Sequence, residues 1–390
     1  MTTLITDSQV LADFCQALAK AEYVTVDTEF MREKTYYPQL CLVQLAGPDA
    51  AAAIDPMAPG MDLAPLFALM ADPKVLKVFH AARQDIEIFY FLGNVIPAPL
   101  FDTQVAAMVC GFGDSVGYET LAAKLANARI DKSFRFSDWS NRPLSDRQLD
   151  YALDDVTHLR VAYEKLAVML AKNGRAEWLH EEMAVLTSAS TYDADPMESW
   201  RRLKPRTNST KFLAVLREIA AWRELEARKR DLPRNRFLRD EALLEIAARE
   251  PKTADELGKV RALSKGFAEG PIGKQLLDAI VRGAAVPKED RPQLPERVDL
   301  PAGRGPIVDL LKVLLKLRCE ENDVAQKLVA NTSDLEAIAA DDKADVGPLH
   351  GWRYEMFGKD ALALKQGRLA LTADGHTVRI VPVPAVAAAQ

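Results

Sequence analysis

Asp27 and Glu29 stand two residues apart in EYVTVDTEFMRE (residues 22–33), a segment of strand character. Successive strand side chains alternate faces, so the two carboxylates share one face while Val24, Val26 and Thr28 share the other. At roughly 6 Å and an effective dielectric of about 20, two such charges repel by on the order of 3 kcal/mol. Alone, the pair reads as an exposed edge strand, and a metal site needs acids from elsewhere. Two segments supply them. In HAARQDIEIFYFLG, Ile86, Phe89 and Tyr90 recur as a helical core stripe, and Asp85 lies beside that stripe. In SDRQLDYALDDVTHLRVAYEKL, the stripe is Leu149, Ala152, Leu153, Val156 and Leu159, and Tyr151, Asp155 and His158 fall on an adjoining face. Asp154 points about 100° away from Asp155.

Four acids and a tyrosine, in the order D-x-E, D, Y-x-x-x-D, suit two divalent cations, Mg²⁺ or Mn²⁺, roughly 3.5–4 Å apart. Such a pair serves in-line displacement at a phosphodiester, with a phenol one turn before a carboxylate placed to hold the attacking water. GFGDSVG (residues 111–117) follows a helix rather than a strand and reads as a turn, not a phosphate loop. The five histidines lack H-x-x-x-H or H-E-x-x-H spacing, which leaves zinc without a case.

The elements that must position these residues are mixed. EYVTVDTEF, QLCLVQLAG and AAAAIDP read as three short strands, followed to about residue 170 by helical patterns alternating with apolar runs. This predicts an α/β layer whose first strands are antiparallel and whose later ones arrive through helical crossovers. Beyond residue 170 strand signals almost vanish, and a weak internal repeat begins. Residues 216–247 resemble 310–339, and 266–280 resemble 351–364, with Gly266 matching Gly351 and Gly273-Lys274 matching Gly358-Lys359. VPKEDRPQLPERVDLPAGRGP between the copies has linker composition, and the tail VRIVPVPAVAAAQ reads as poorly ordered or a short strand.

A net charge of −6 argues by itself against a nucleic-acid partner, but the stretch from Arg201 to Asp240 holds thirteen Lys or Arg against five Asp or Glu. That local field is what a phosphate backbone attracts, although a solvated helical face with internal ion pairs would look the same. The second repeat is less basic and carries ADDKAD (residues 340–345), so an RNA-binding role rests mainly on the first. Four scattered cysteines, no secretory N-terminus and no apolar run near 18 residues lead us to expect a cytoplasmic protein with no membrane contact.

VTVDTEFMREKTYYPQLCLVQLA, HAARQDIEIF, LFDTQVAAM and DKSFRFSDWSNRPLSDRQLDYALDDVTHL together resemble the bacterial ribonuclease D branch of the DEDD exonucleases, in its tyrosine-bearing subgroup. The resemblance implies a ribonuclease H-like exonuclease domain followed by two all-α helical-bundle HRDC-type domains. Expected boundaries are the exonuclease domain at 1–175, a helical linker at 176–207, the first HRDC-type domain at 208–286 and a Pro-rich linker at 287–304. The second HRDC-type domain is expected at 305–372 and a tail at 373–390. The implied activity is a 3′→5′ exoribonuclease that trims RNA 3′ ends, tRNA precursors included, and releases nucleoside 5′-monophosphates. By the same similarity Asp27 would bridge both metals, Glu29 and Asp155 would complete one site, Asp85 would help hold the other, and Tyr151 would orient the water. Phe30, His80, Gln84, Lys132 and Arg142 are expected to contact substrate, and Trp139 to be structural. A monomer is expected. The alternatives are a 3′→5′ DNA exonuclease with the same site, or a non-catalytic RNA-binding adaptor, whose signature would be a missing acid. If the helical repeats anchor the RNA body, deleting residues 208–372 should weaken tRNA-like binding far more than cleavage of short oligonucleotides.

Overall fold

Strand β2 (Tyr23–Met31), which carries the acid pair, lies inside a six-stranded sheet rather than at its edge. The other strands are β1 (Leu4–Ile5), β3 (Gln39–Ala46), β4 (Ala51–Ile54), β5 (Leu76–Phe79) and β6 (Leu100–Asp102), in the order β1-β4-β3-β2-β5-β6. Strands β2, β3 and β4 form an antiparallel meander, whereas β5 and β6 are parallel to β2 and reached through helices, as the sequence pattern predicts. This computed structural model describes residues 4–135, 137–261, 263–294 and 303–384.

Each face of the sheet is covered. Val24 and Val26 pack with α1 (Ser8–Leu18), α2 (Ala64–Ala71) and α3 (Arg83–Gly93) into one core. The opposite face, which bears Asp27 and Glu29, lies under α6 (Asp146–Asn173), tied to it by Thr25 Oγ1 donating to the Val156 carbonyl at 2.8 Å. Helix α6 begins at a capping box between Ser145 and Gln148 and ends at Gly174, which takes a left-handed φ of 70°. Helices α4 (Thr103–Val109) and α5 (Tyr118–Ala126) complete the layer.

Arg142 departs from expectation. All five of its N–H donors are taken within the protein: Nε and one terminal nitrogen grip the Asp55 carboxylate, both bonds at 2.7 Å, and the rest go to the carbonyls of Trp139, Asn141 and Cys41. It is therefore a structural clamp that pins the segment before α6 to the sheet, with no donor left for substrate. Asp55 is only 5% exposed. Arg142→Ala should thus cost about 3–5 kcal/mol of stability by stranding that carboxylate, read as a lower urea midpoint.

The chain beyond α6 builds two helical units. Helix α7 (Trp178–Leu186) leads to the first, which contains α8 (Thr210–Lys229) and helices Asp240–Arg249 and Pro271–Ala285. Its core reaches back to Trp200 and Leu203, inside the segment expected to be linker. The second unit contains helices Gly305–Glu321, Thr332–Ala340 and Lys359–Lys365. The repeat has a geometric counterpart: a Cβ at Gly273 or at Gly358 would collide with a backbone carbonyl, that of Ala268 or of Pro348. Part of the expected 287–304 linker, residues 295–302, and the last six residues of the tail lie outside the described residues.

Two expectations change here. The tail takes the short-strand alternative, β8 (Val378–Pro382), but β8 pairs with β7 (Leu369–Ala373) from the end of the expected second helical domain, which was expected to be all-α. The hairpin's alternating Val, Ile and Leu side chains are only partly covered, which is why the apolar signal is weak. Among the described residues, the second unit also has no separate core. Leu311, Leu314, Ile338 and Phe357 share one buried cluster with Val105, Val109, Leu166 and Leu170 of the exonuclease layer. Trp178 stacks on Trp352 at 4.1 Å across the same junction, and the Ala325 amide donates to the Met108 carbonyl at 2.9 Å.

Candidate active site

Strand alternation puts Asp27 and Glu29 on the α6 face of β2, and helical spacing points Asp155 down at them from above. One carboxylate oxygen from each of the three lies within 4.8 Å of the others. The β2–β3 pairing slips between Glu29 and Phe30, a bulge that turns the strand immediately after the second acid. Asp85 arrives separately, in the first turn of α3. It is 6% exposed and accepts a 2.5 Å bond from Thr28 Oγ1, the residue between the two strand acids.

The α3 end is positioned by a residue the sequence reading passed over. Asp102, in LFDTQ, is buried and accepts backbone N–H bonds from Ala81, Ala82 and Gln104 at 2.8–3.0 Å. Ala81 takes a left-handed φ of 59°, a strained position for alanine that this clamp holds. The result is a fixed turn from β5 into α3, and with it a fixed place for His80 and Asp85. The only cue in the sequence is an aspartate that ends a short strand and caps the next helix.

The acids are held in a place hostile to charge. Burial pushes Glu29 up to about 10, with Asp27, Asp155 and Asp85 adding to it. Burial raises Asp155 to about 7, opposed by the hydrogen bond it accepts from Tyr151. Asp27 and Asp85 are raised well above the carboxylate range, by burial first, then by Asp155 on Asp27 and by Asp27 on Asp85. Among the described residues, burial and neighbouring acids dominate the shifts of all four, and Arg135 lines the cavity on which Asp27 and Asp155 open. A cluster of hard oxygen ligands, raised by burial and by one another, fits a divalent cation.

Tyr151 donates to Asp155, and burial followed by the charge of Asp155 raises its phenol. Its ring rests on Trp139, 6.1 Å away and nearly parallel, which makes Trp139 the structural support expected of it. A cavity of about 370 Å³ opens on Asp27, Tyr151 and Asp155, and is walled by His80, Gln104 and Tyr118. His80 Nδ1 lies 3.0 Å from Thr103 Oγ1, and burial lowers the imidazole's pKa, opposed by the nearby Asp102. Tyr118, which the sequence reading missed, is fixed by a 2.9 Å bond to the Asp154 carbonyl.

The remaining expected contacts divide. Phe30 packs partly buried against the α3-side core, away from this cavity. Gln84 is exposed and lines a different cavity, described below. The side chain of Lys132 lies outside the described residues. All four acids are present, so the signature of a non-catalytic adaptor is absent.

The 3'-5' exonuclease family model matches residues 2–171 and the HRDC domain model matches residues 212–280. The chain is 53% identical to a ribonuclease D of Granulibacter bethesdensis, over 97% of this chain and 96% of that one. It is 50% identical to a ribonuclease D of Jannaschia sp., over 98% and 100%. Among solved structures it is similar to Escherichia coli RNase D, described as an exoribonuclease involved in structured RNA processing. The TM-score is 0.79 and the identity 29%, covering 94% of this chain and 99% of that one. With the acid set and the tyrosine in place and half of all residues shared across nearly the whole length, the chain belongs to the ribonuclease D family of 3′→5′ exoribonucleases.

Proposed function

We propose that Asp27, Glu29, Asp85 and Asp155 hold two Mg²⁺ or Mn²⁺ ions at which this exoribonuclease removes 3′-terminal nucleotides, tRNA precursors included, as 5′-monophosphates. The observation that carries this reading is the Asp27–Glu29–Asp155 cluster within 4.8 Å, half-buried to buried, in which burial and the other acids raise Glu29. When bound, the ions supply Lewis-acid stabilisation and a nucleophilic water at neutral pH. The chain's own residues do the rest. Asp27, Glu29 and Asp155 form one ligand set, and Asp85, 57 positions along and held by Thr28, belongs to the second. The Tyr151 hydroxyl, fixed by Trp139 and bonded to Asp155, orients the attacking water. His80, with Gln104 and Tyr118 beside it, meets the terminal nucleotide.

The same reading takes residues 1–175 as the catalytic domain and 208–286 and 305–372 as two HRDC-type units of a monomer. A cytoplasmic setting suits four free, buried cysteines. With Mg²⁺, the purified protein should shorten a 3′-hydroxyl RNA to mononucleotides, and should prefer it to a matched DNA in direct competition. Tyr151→Phe should lower kcat by about 10²-fold with KM nearly constant, since a water-positioning hydroxyl acts mainly in the transition state. An unchanged kcat would remove Tyr151 from the mechanism.

A further inference from the structure

A second cavity, of about 320 Å³, lies where the exonuclease layer meets the first helical unit. We propose that this cavity, lined by Arg32, Arg83, Gln84, Arg202, Arg228 and Arg234, binds backbone phosphates of the RNA strand just upstream of the nucleotide being removed. The inference rests on the exoribonuclease reading of the acid site and adds to it a place for the rest of the strand.

Charge pairing in the cavity is incomplete. Arg32 pairs with Glu87 at 2.7 Å. Arg234 grips the buried Glu224 through two bonds of 2.5 and 2.6 Å, and Arg228 reaches Glu224 and Asp193 at 3.6 and 3.5 Å. Each of these three thus has an acid. Arg83 and Arg202 are exposed, and among the described residues neither has a hydrogen bond or an ion pair. The cavity therefore carries two uncompensated guanidinium groups, and planar guanidinium forks match phosphate oxygens.

The arginines also stand close to the acid site. Arg32 comes three residues after Glu29 on the segment leaving β2, and Arg83 two residues before Asp85 in the first turn of α3. At 3.8 Å per Cα step, neither can stand more than about 11 Å along the chain from a metal-ligating acid. A single strand leaving the acid site therefore meets the cavity within its first few nucleotides. The wall opposite is fixed by Tyr36, which donates to Glu224 and accepts from Arg228 Nε at 3.0 Å and Arg234 at 2.8 Å. Backbone amides add to this: the Tyr36 and Tyr37 N–H groups donate to Asp231 at 2.9 and 3.0 Å. The first helical unit is thus clamped to the loop that follows β2, and the cavity is a built joint rather than a gap between loose domains. The basic stretch thereby gains a specific role, since Arg202, Arg228 and Arg234 all come from it.

The test uses the full-length protein and an Arg83→Gln/Arg202→Gln double variant, with circular dichroism confirming equal folding. Fluorescence anisotropy with a 12-nucleotide single-stranded RNA in EDTA should give about a tenfold weaker Kd. The slope of log K against log salt should shrink by about 1.4, at roughly 0.7 per phosphate contact on a single strand. Hydrolysis of a dinucleotide in Mg²⁺, too short to reach the cavity, should be unchanged. Unaltered 12-mer affinity and salt slope, or an equal loss on the dinucleotide, would overturn the proposal. So would protection of the cavity by inorganic phosphate or AMP in thermal unfolding without any change in RNA affinity, which would assign it to a free phosphate. Failure of the wild-type protein to hydrolyse any RNA would instead strike the exoribonuclease reading, since the binding arm does not depend on catalysis.

Discussion

Replacing Asp27 by asparagine is expected to abolish RNA hydrolysis while making the metal-free protein more stable at alkaline pH. Asp27 is the acid on which the site turns: it joins Glu29 and Asp155 in one cluster and acts electrostatically on Asp85 in the other direction. Losing it should remove about 4 kcal/mol of transition-state stabilisation or more, roughly 10³-fold in kcat/KM. The stability effect follows from proton linkage. Folded Asp155 titrates near 7 and Glu29 near 10, against about 4 for ordinary carboxylates. Below about pH 4 both states are protonated and nothing is lost. As pH rises from there towards 7 and beyond, the unfolded chain releases protons that the folded chain retains, so stability falls. Asparagine removes one of the repelling groups and should flatten that fall. Mg²⁺ should do the same for the wild type by binding the deprotonated acids, adding about 2.7 kcal/mol at a hundredfold excess over its Kd. Thermal unfolding at pH 5 and pH 8, with EDTA or with Mg²⁺, should therefore give a larger Mg²⁺-induced rise in Tm at pH 8. Equal rises would mean that these acids are not the ligands.

Truncation after residue 294 is expected to destroy the exonuclease layer, not merely to weaken RNA binding. The second helical unit buries Val105, Met108, Val109, Leu166 and Leu170 in a common cluster with its own Leu311, Leu314 and Phe357. At about 1.5–3 kcal/mol per apolar side chain exposed, five of them match the 5–15 kcal/mol that typically holds a domain. Residues 1–294 should be insoluble or lack a cooperative melt. Phe357→Ala gives a graded version, a loss of about 3–5 kcal/mol in urea unfolding. A soluble 1–294 fragment melting like the full chain would contradict the shared core. Deleting residues 208–372 is for the same reason no clean test of RNA anchoring, which is why substitutions in the arginine cavity are the better probe.

Much of the site was legible because its chemistry is tied to periodicity. Period two in VTVDTEF put Asp27 and Glu29 on one face, and the i, i+4 spacing put Tyr151 and Asp155 together on α6. What sequence could not reveal depends on which partner a side chain finds across the fold. Arg142 read as a cation available to RNA, but it lies opposite Asp55, 87 positions away, and is consumed there. Gln84 neighbours Asp85 in sequence yet points to the other cavity, because successive helical residues diverge by about 100°. Asp102 and Tyr118 went unnoticed because their importance lies in the turn and the cavity wall they hold. The second repeat looked like a tethered module since helical periodicity records that a face is buried, not which domain buries it.

Four acids from β2, α3 and α6 should jointly hold two divalent cations, and RNA hydrolysis depends on that. Isothermal titration of Mn²⁺ into the wild-type protein saturated with AMP tests it most directly. Two equivalents should bind per chain, and Asp27→Asn should bind neither at the same concentrations. A wild-type stoichiometry of zero, or an Asp27→Asn variant that retains both ions, would contradict it.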